Sequence, residues 1–351
     1  MTINHADPNS HGGSGRATAG ALIPVPRDAL SDLDGPGGLR RFLSFRPRLS
    51  LRMLRNGAVL LVLLATLNWT VGALMVHRID NDLTFSPPAH LTGGSRAVSM
   101  AAALIDREVN ENAWTPNDPW FAPSTFLDNM PSYQTGVMRA VARFSFELLD
   151  GIARTRGSSS NDPDLERAAG FLQFPPDFWI FNFEKSLLPM VPSEDQYRSG
   201  LNFLTRYNQR LANGNAIFER RADAFGRTIQ QVSLDLGAQT AAIERTRQGG
   251  WWIFNTSADD VFYQNKGMLY AYYMILSELG HDFEHLIRER GLTLVWTRAL
   301  QNLERATQLR PTVVLNGNSD RSIFANHLML QGFYLKRAIL QLEEAVSVLA
   351  V

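Results

Sequence analysis

Residues 57–76 read GAVLLVLLATLNWTVGALMV, twenty positions without one charged side chain. As an α-helix this stretch would be ~30 Å long, the thickness of a bilayer's hydrocarbon core. A segment apolar on every side has no face to offer water, so it reads as a single transmembrane helix rather than a core helix. Its polar members Thr66, Asn68 and Thr70 fall in the second half, where threonine hydroxyls can bond back to helix carbonyls and Asn68 can face water or a partner helix.

The flanks orient the span. Arg40, Arg41, Arg46, Arg48, Arg52 and Arg55 precede it with no acid between Gly35 and Gly57, while Arg78 after it is set against Asp80 and Asp82. Positive charge stays on the cytoplasmic side, so residues 1–56 are expected in the cytoplasm and everything after Val76 across the membrane. A competing reading is a cleaved signal peptide with translation beginning at Met53, since MLRNGAVLLVLLATLNWTVGA has a basic start, an apolar core and small residues near Ala73. A leader of 56 residues before the apolar run argues for the uncleaved anchor.

Charge is partitioned along the chain. The 351 residues carry 34 basic and 34 acidic side chains, yet the first 56 hold eight arginines against four acids, a net of +4, and the rest compensates with −4. Only Lys185, Lys266 and Lys336 are lysines, so arginine abundance reads as compositional bias before chemistry. The opening HADPNSHGGSGRATAG has almost no large apolar side chain to offset ordering entropy, and disorder is expected there. The later LRRFLSFRPRLSLRMLR would suit an anionic leaflet, although orientation alone already requires its arginines. The domain plan is a disordered tail over 1–56 with a basic juxtamembrane segment, the span over 57–76, a proline- and glycine-marked spacer over 77–94, and a helical domain over 95–351.

That domain reads as all-α. Val98, Ala102, Ile105 and Val109 follow a serine cap at Ser95, and Val137, Val141, Phe144, Leu148 and Ile152 recur at steps of three and four. Further helices are expected over about 164–173, from Ser193 through Leu211, over about 216–248, 258–290 and 292–309, and from Ser322 to the C-terminus with Ser319 and Asp320 as turn and cap. The result is a multi-helix array with a bundle-type core, in which Phe144, Leu276, Phe283 and Leu335 should be buried. The helix carrying Phe262, Tyr263, Tyr270, Tyr272, Tyr273 and Met274 is apolar nearly all round and should be the central one.

Chemistry-bearing motifs are sparse. Zero cysteines exclude a thiol nucleophile, a disulfide scaffold, a cysteine zinc finger and an iron–sulfur centre. There is no nucleophile elbow and no phosphate-binding P-loop, and Gly35-Pro36-Gly37 has no strand before it. His281, Asp282, Phe283, Glu284 and His285 match H-x-x-E-H, the inverted zinc-peptidase pattern, in which two histidines one turn apart bind metal and the glutamate activates water. Glu278 and His281 also form one E-x-x-H half-motif of di-iron bundles, without a second copy. On a helical wheel, however, Leu269, Leu276, Leu279, Phe283, Leu286 and Ile287 share one face, and Glu278, His281, Asp282 and His285 the other, as on a solvated polar face. His327 and His90 are the remaining histidines of this part that could complete a site. Adjacent acids such as Asp259/Asp260 and Glu343/Glu344 read as surface charge. No nucleic acid, metal or cofactor is expected.

Two aromatic segments remain, LQFPPDFWIFNFEKSLLPMVP over 172–192 and GGWWIFN over 249–255. Either they plug the core between helices, or they form a membrane-interface dip or an apolar ligand groove; Trp179, Phe181, Trp251 and Trp252 are the candidate interaction residues. Together with the single anchor and the long helical domain, the runs DNMPSYQTGVMRA (128–140), FPPDFWIFNFEKSLLPMVPSEDQYRSGL (174–201) and DDVFYQNKGMLYAYYMIL (259–276) resemble a domain-of-unknown-function family of Gram-negative bacterial envelope proteins. That resemblance spans about residues 60–351, implies inner membrane and periplasm as compartments, and brings no catalytic residues with it. The reading is a membrane-anchored, periplasmic, noncatalytic binding or scaffold module whose partners are the inner membrane and an envelope protein or cell-envelope component. The alternative is a metal-dependent hydrolase using His281, Glu284 and His285.

Overall fold

The computed structural model describes residues 50–76, 79–88, 91–126, 128–156, 161–181, 188–248, 256–310 and 327–350. The chain divides into two compact units, residues 1–62 and 63–351. The first is described only from residue 50, where α1 (Leu51–Val76) begins. This helix is long and apolar enough to cross a membrane, and its most apolar window is uncovered by protein. Thr70 Oγ1 donates to the Thr66 carbonyl at 2.8 Å, the back-bond foreseen for a hydroxyl in apolar surroundings.

The second unit, beyond the last turns of α1, is built from helices, with no strand among the described residues. They are α2 (Arg96–Asp106), α3 (Asn129–Arg156), α4 (Pro163–Leu172), α5 (Ser193–Ala212), α6 (Ala222–Gln248), α7 (Thr256–Asp282), α8 (Glu284–Glu289), α9 (Thr293–Thr307) and α10 (His327–Leu349). The all-α expectation holds, and the sequence signals act as physics requires. Ser95 caps α2, its Oγ accepting from the Val98 N–H at 3.2 Å. Asp162 caps α4 with Pro163 in the first helical position.

α7 is the hub. It packs against α2 and α3 on one side and α6, α9 and α10 on the other, and α4 and α5 complete the first side. Phe262, Leu269, Tyr270, Ala271, Tyr272, Ile275 and Leu276 are all essentially inaccessible. Its closest partner is α3, which runs in the same direction: Ser132 bonds Asp260 near both starts, and Ile152 shares a small cleft with Leu279 and Phe283 near both ends. Phe144, Leu276, Phe283 and Leu335 are buried. The buried tyrosines keep their hydroxyls bonded, Tyr272 to Asp235 at 2.6 Å, Tyr197 to the Phe174 carbonyl at 2.8 Å and Tyr207 to the Ile217 carbonyl at 2.6 Å.

Three departures from the sequence expectation have identifiable causes. The helix expected from 216 starts at Ala222, because Gly214 turns with φ 73° and Tyr207 holds the Ile217 carbonyl. The helix expected to reach Arg290 breaks at Phe283, with φ −112° and ψ 19°. There the Phe283 ring stacks on Phe225 with centroids 4.3 Å apart. The segment read as a spacer is fastened down over 79–88: Ile79, Leu83 and Phe85 pack on the core, and Tyr133 and Tyr270 donate to the carbonyls of Asp80 and Asp82 at 2.8 and 2.7 Å. The tail to residue 49, the Ser319/Asp320 cap and the first residues of the last helix lie outside the described residues.

α3 and α7 approach through glycines. A Cβ on Gly136 would overlap the Gln264 carbonyl, and one on Gly267 the Tyr133 carbonyl, backbone atoms that no rotamer change can move. Gly136→Ala and Gly267→Ala should each lower stability by at least ~1–3 kcal/mol, the range for overpacking a tight core, whereas Gly151→Ala on the same α3, with open space around it, should be neutral or stabilising. Chemical denaturation of the three variants checks this.

Candidate functional site

The H-x-x-E-H residues are separated by the break at Phe283. His281, Glu284 and His285 are exposed, His285 Nδ1 lies 3.5 Å from Glu289, and Glu284 is 3.7 Å from Arg288. The acids beside them serve the fold. Asp282 accepts from the Ser95 hydroxyl at 2.6 Å and from the Arg96 and Ala97 N–H groups at 2.9 and 3.1 Å, neutralising the open N-terminus of α2. Glu278 takes the Arg96 guanidinium at 2.6 Å. His327, half-buried at the start of α10, has its pKa lowered by burial, and His90 lies outside the described residues. Among the described residues no group of three or more His, Asp or Glu side chains is placed to hold a metal ion.

A charged centre that the sequence reading did not single out lies where α2 ends. Arg107–Glu111 forms one π-helical turn, closed by the Asn112 N–H on the Arg107 carbonyl at 2.8 Å. The wider turn sends both Arg107 and Glu108 inward, where they are paired at 2.8 Å and almost wholly buried. The guanidinium is sandwiched between Phe85 and Tyr270, 4.8 and 4.9 Å from the ring centroids, and donates to the Tyr270 hydroxyl at 2.7 Å. Burial pushes the Glu108 carboxyl up while Arg107 opposes that shift. Among the described residues, the polar contacts of this centre run to the strap over 79–88 and to the bundle, and so tie the one to the other.

Asp259 and Asp260, expected as surface charge, are instead half-buried where α7 starts beside Asp128. Burial first, then repulsion from Asp128 and Asp260, pushes the Asp259 carboxyl up to about 6. Lys266, buried, is pulled down to about 8 by burial and by Arg310, and donates to the Leu309 carbonyl at 2.7 Å.

The aromatic segment of 172–192 divides in two. Phe178 is buried and Phe174 half-buried, as a core plug would be, but the chain then comes to the surface: Trp179 is half-buried, and Ile180, Phe181, Leu188 and Val191 are exposed. Beside it lies a second loop, with Trp120 77% and Phe121 51% exposed. Rings run edge to face from Trp120 to Phe121, Trp179 and Phe181, with centroids 5.7, 6.1 and 5.4 Å apart. The loops are held by polar groups turned inward. Asn117 donates to the Phe178 carbonyl at 2.8 Å and to Glu194 at 2.6 Å, and the Ser193 hydroxyl to the Pro175 carbonyl at 2.7 Å. Trp114 donates to the Pro176 carbonyl at 3.1 Å, and Asp118 accepts from the Ser124 hydroxyl. Trp120 and Phe121 are exposed aromatics that the sequence reading did not single out. The signal was present as an aromatic pair between Pro119 and Pro123, where chain direction is set by proline rather than by burial. Trp251 and Trp252 lie outside the described residues.

Next to the buried half of that segment, a groove of about 380 Å³ runs between α3, α4 and the 173–176 turn, lined in part by Met138, Arg139, Phe146, Pro175 and Tyr197. Arg143 on its wall is engaged by Glu147 at 3.2 Å and Asp235 at 3.5 Å.

Two outcomes follow. Replacing His281 and His285 together by alanine should leave stability within ~0.5 kcal/mol, as at exposed positions, while Phe283→Ala between them should cost ~3–5 kcal/mol; denaturant titration of both variants compares them. A carboxyl whose pKa is raised on folding holds its proton more tightly in the native state, so its ionisation weakens the fold as pH rises from about 4 through about 6. Asp259→Asn should therefore stabilise by ~1–2 kcal/mol at pH 7 to 8, allowing for solvent screening of a half-exposed group. The gain should vanish near pH 4, as thermal melts across that range would show.

Neither a curated protein nor a solved structure matches the chain. A family model does match, over residues 88–248 and 239–349, bearing out the resemblance to a bacterial family of unknown function. From the bundle's first residues to its last helix, the chain belongs to DUF2333, described as an uncharacterized protein conserved in bacteria.

Proposed function

We propose that the chain is a membrane-anchored helical module of the bacterial envelope that works by binding rather than by catalysis. The carrying observation is α1, an apolar helix of spanning length with its most apolar window left uncovered by the protein. A soluble protein of this size would normally bury so large an apolar surface. The arginines of residues 40–55 set its direction, leaving the N-terminus in the cytoplasm and the bundle in the periplasm of an inner membrane.

Binding is favoured over hydrolysis by the duties of the charged groups. Asp282 and Glu278 hold the start of α2, and Arg107 and Glu108 hold the strap. The two histidines of the motif are left on the outer surface of the bundle. The contact surface is the aromatic ridge of Trp120, Phe121, Trp179 and Phe181, since exposed contiguous apolar side chains on a soluble domain mark an interaction site. Its partners are the membrane or a component of the envelope.

Reporter fusions test the topology. An enzyme active only in the periplasm should be active when fused after Val351 and silent when fused after Arg48, and the reverse pattern would reject the reading. Intact mass of the membrane-extracted chain should show residues 57–76 retained; a mature N-terminus near Leu74 would make the bundle a soluble periplasmic protein.

A further inference from the structure

The aromatic ridge is joined to the anchor helix at a defined height. The Trp69 indole N–H donates to the Phe121 carbonyl at 3.1 Å, and a Cβ on Gly72 would collide with the Pro123 ring. The loop carrying Trp120 and Phe121 is therefore seated on α1 seven residues before Val76, or ~10 Å back along the helix at 1.5 Å per residue. The apolar span itself continues to Met75. If α1 fills the bilayer to that point, a loop resting at Trp69 cannot stand clear of the membrane.

The chemistry of the loop suits that depth. Trp120 and Leu188 are 77% and 73% exposed, Val191 55% and Phe121 51%. The neighbouring acids Asp118 and Glu194, whose charge would oppose entry, are tied to Ser124 and Asn117. Aromatic rings are the side chains that favour the headgroup level, and apolar faces of interfacial elements sink ~5–10 Å below it.

We propose that Trp120, Phe121, Phe181 and Leu188 form a wedge inserted into the leaflet on the bundle's side of the membrane, directly beside α1, so that the bundle sits partly sunk in the bilayer instead of hanging below it on a tether. The occupant of the aromatic surface is thus lipid. This rests on the reading that α1 spans the membrane.

The absence of cysteine in the chain makes the test direct. Single cysteines replace Trp120, Phe181, Leu188, Leu61 in α1 and Leu294 in α9, exposed residues all. Each full-length variant is labelled with a polarity-sensitive fluorophore and reconstituted into phosphatidylcholine vesicles containing lipids that carry a nitroxide either near the headgroup or deep in the acyl chain. The wedge predicts blue-shifted emission at positions 120, 181 and 188, lost with the shallow nitroxide. Label at 61 should be quenched by nitroxide lipid, and label at 294 should show water-exposed emission without quenching. Labels at 120, 181 and 188 that behave like the one at 294, while 61 is quenched, overturn the wedge and leave the ridge to a protein partner. Failure of quenching at 61 as well overturns the anchor reading and the wedge with it. Three wedge positions keep the outcome readable if one variant fails to fold.

Discussion

Where α3 crosses α7, backbone meets backbone. Gly136 faces the Gln264 carbonyl and Gly267 faces the Tyr133 carbonyl, leaving no room for a methyl group on either side. Close approach of two helices multiplies weak dispersion contacts along their whole length, and here it also aligns the side chains that depend on it. Tyr133 and Tyr270, one from each helix, have ring centroids 6.2 Å apart and point their hydroxyls at the carbonyls of Asp80 and Asp82 in the 79–88 strap. Two parallel helices cannot be joined by a tight turn, and α4, α5 and α6 lie along the chain that links them.

From that crossing the strap acquires its hold. Its backbone carbonyls are taken by the two tyrosines, Phe85 lies on the Arg107 guanidinium, and the Asn81 side chain donates to the Thr307 carbonyl at 3.1 Å while accepting from Arg310 at 3.3 Å. The π-helical turn supplies the means, because the extra residue rotates Arg107 and Glu108 into the interior together, where each compensates the other's desolvation.

The same economy shapes the aromatic ridge. Its hydrogen-bonding groups are turned inward, Asn117 stitching the 117–124 loop to Phe178 and Glu194, and its exposed rings are turned outward. In a core the arrangement would be reversed, with rings inside and polar groups in water. An outward-facing set of aromatics held by an inward-facing polar frame suits a surface whose surroundings are themselves apolar.

Much was determined by the sequence alone, wherever the deciding quantity is local. The apolar run of α1, the Ser95 cap, the stripes of α2 and α3 and the centrality of α7 all follow from periodicity and composition, because helix formation and amphipathicity are set within a few turns of chain. The bacterial family was legible as a resemblance carried by three runs, DNMPSYQTGVMRA among them. The polar face of the H-x-x-E-H helix was legible too, but not that Asp282 would cap α2, a contact across 187 residues to Ser95. Tertiary structure decided the rest. It half-buried Asp259 beside Asp128, which no spacing rule relates; it fastened a proline-marked segment that composition reads as spacer; and it brought Phe121 against Trp179 from loops nearly sixty residues apart. These are properties of pairs that meet only after the bundle closes, and a pattern of single-chain periods carries no information about which loop will lie beside which.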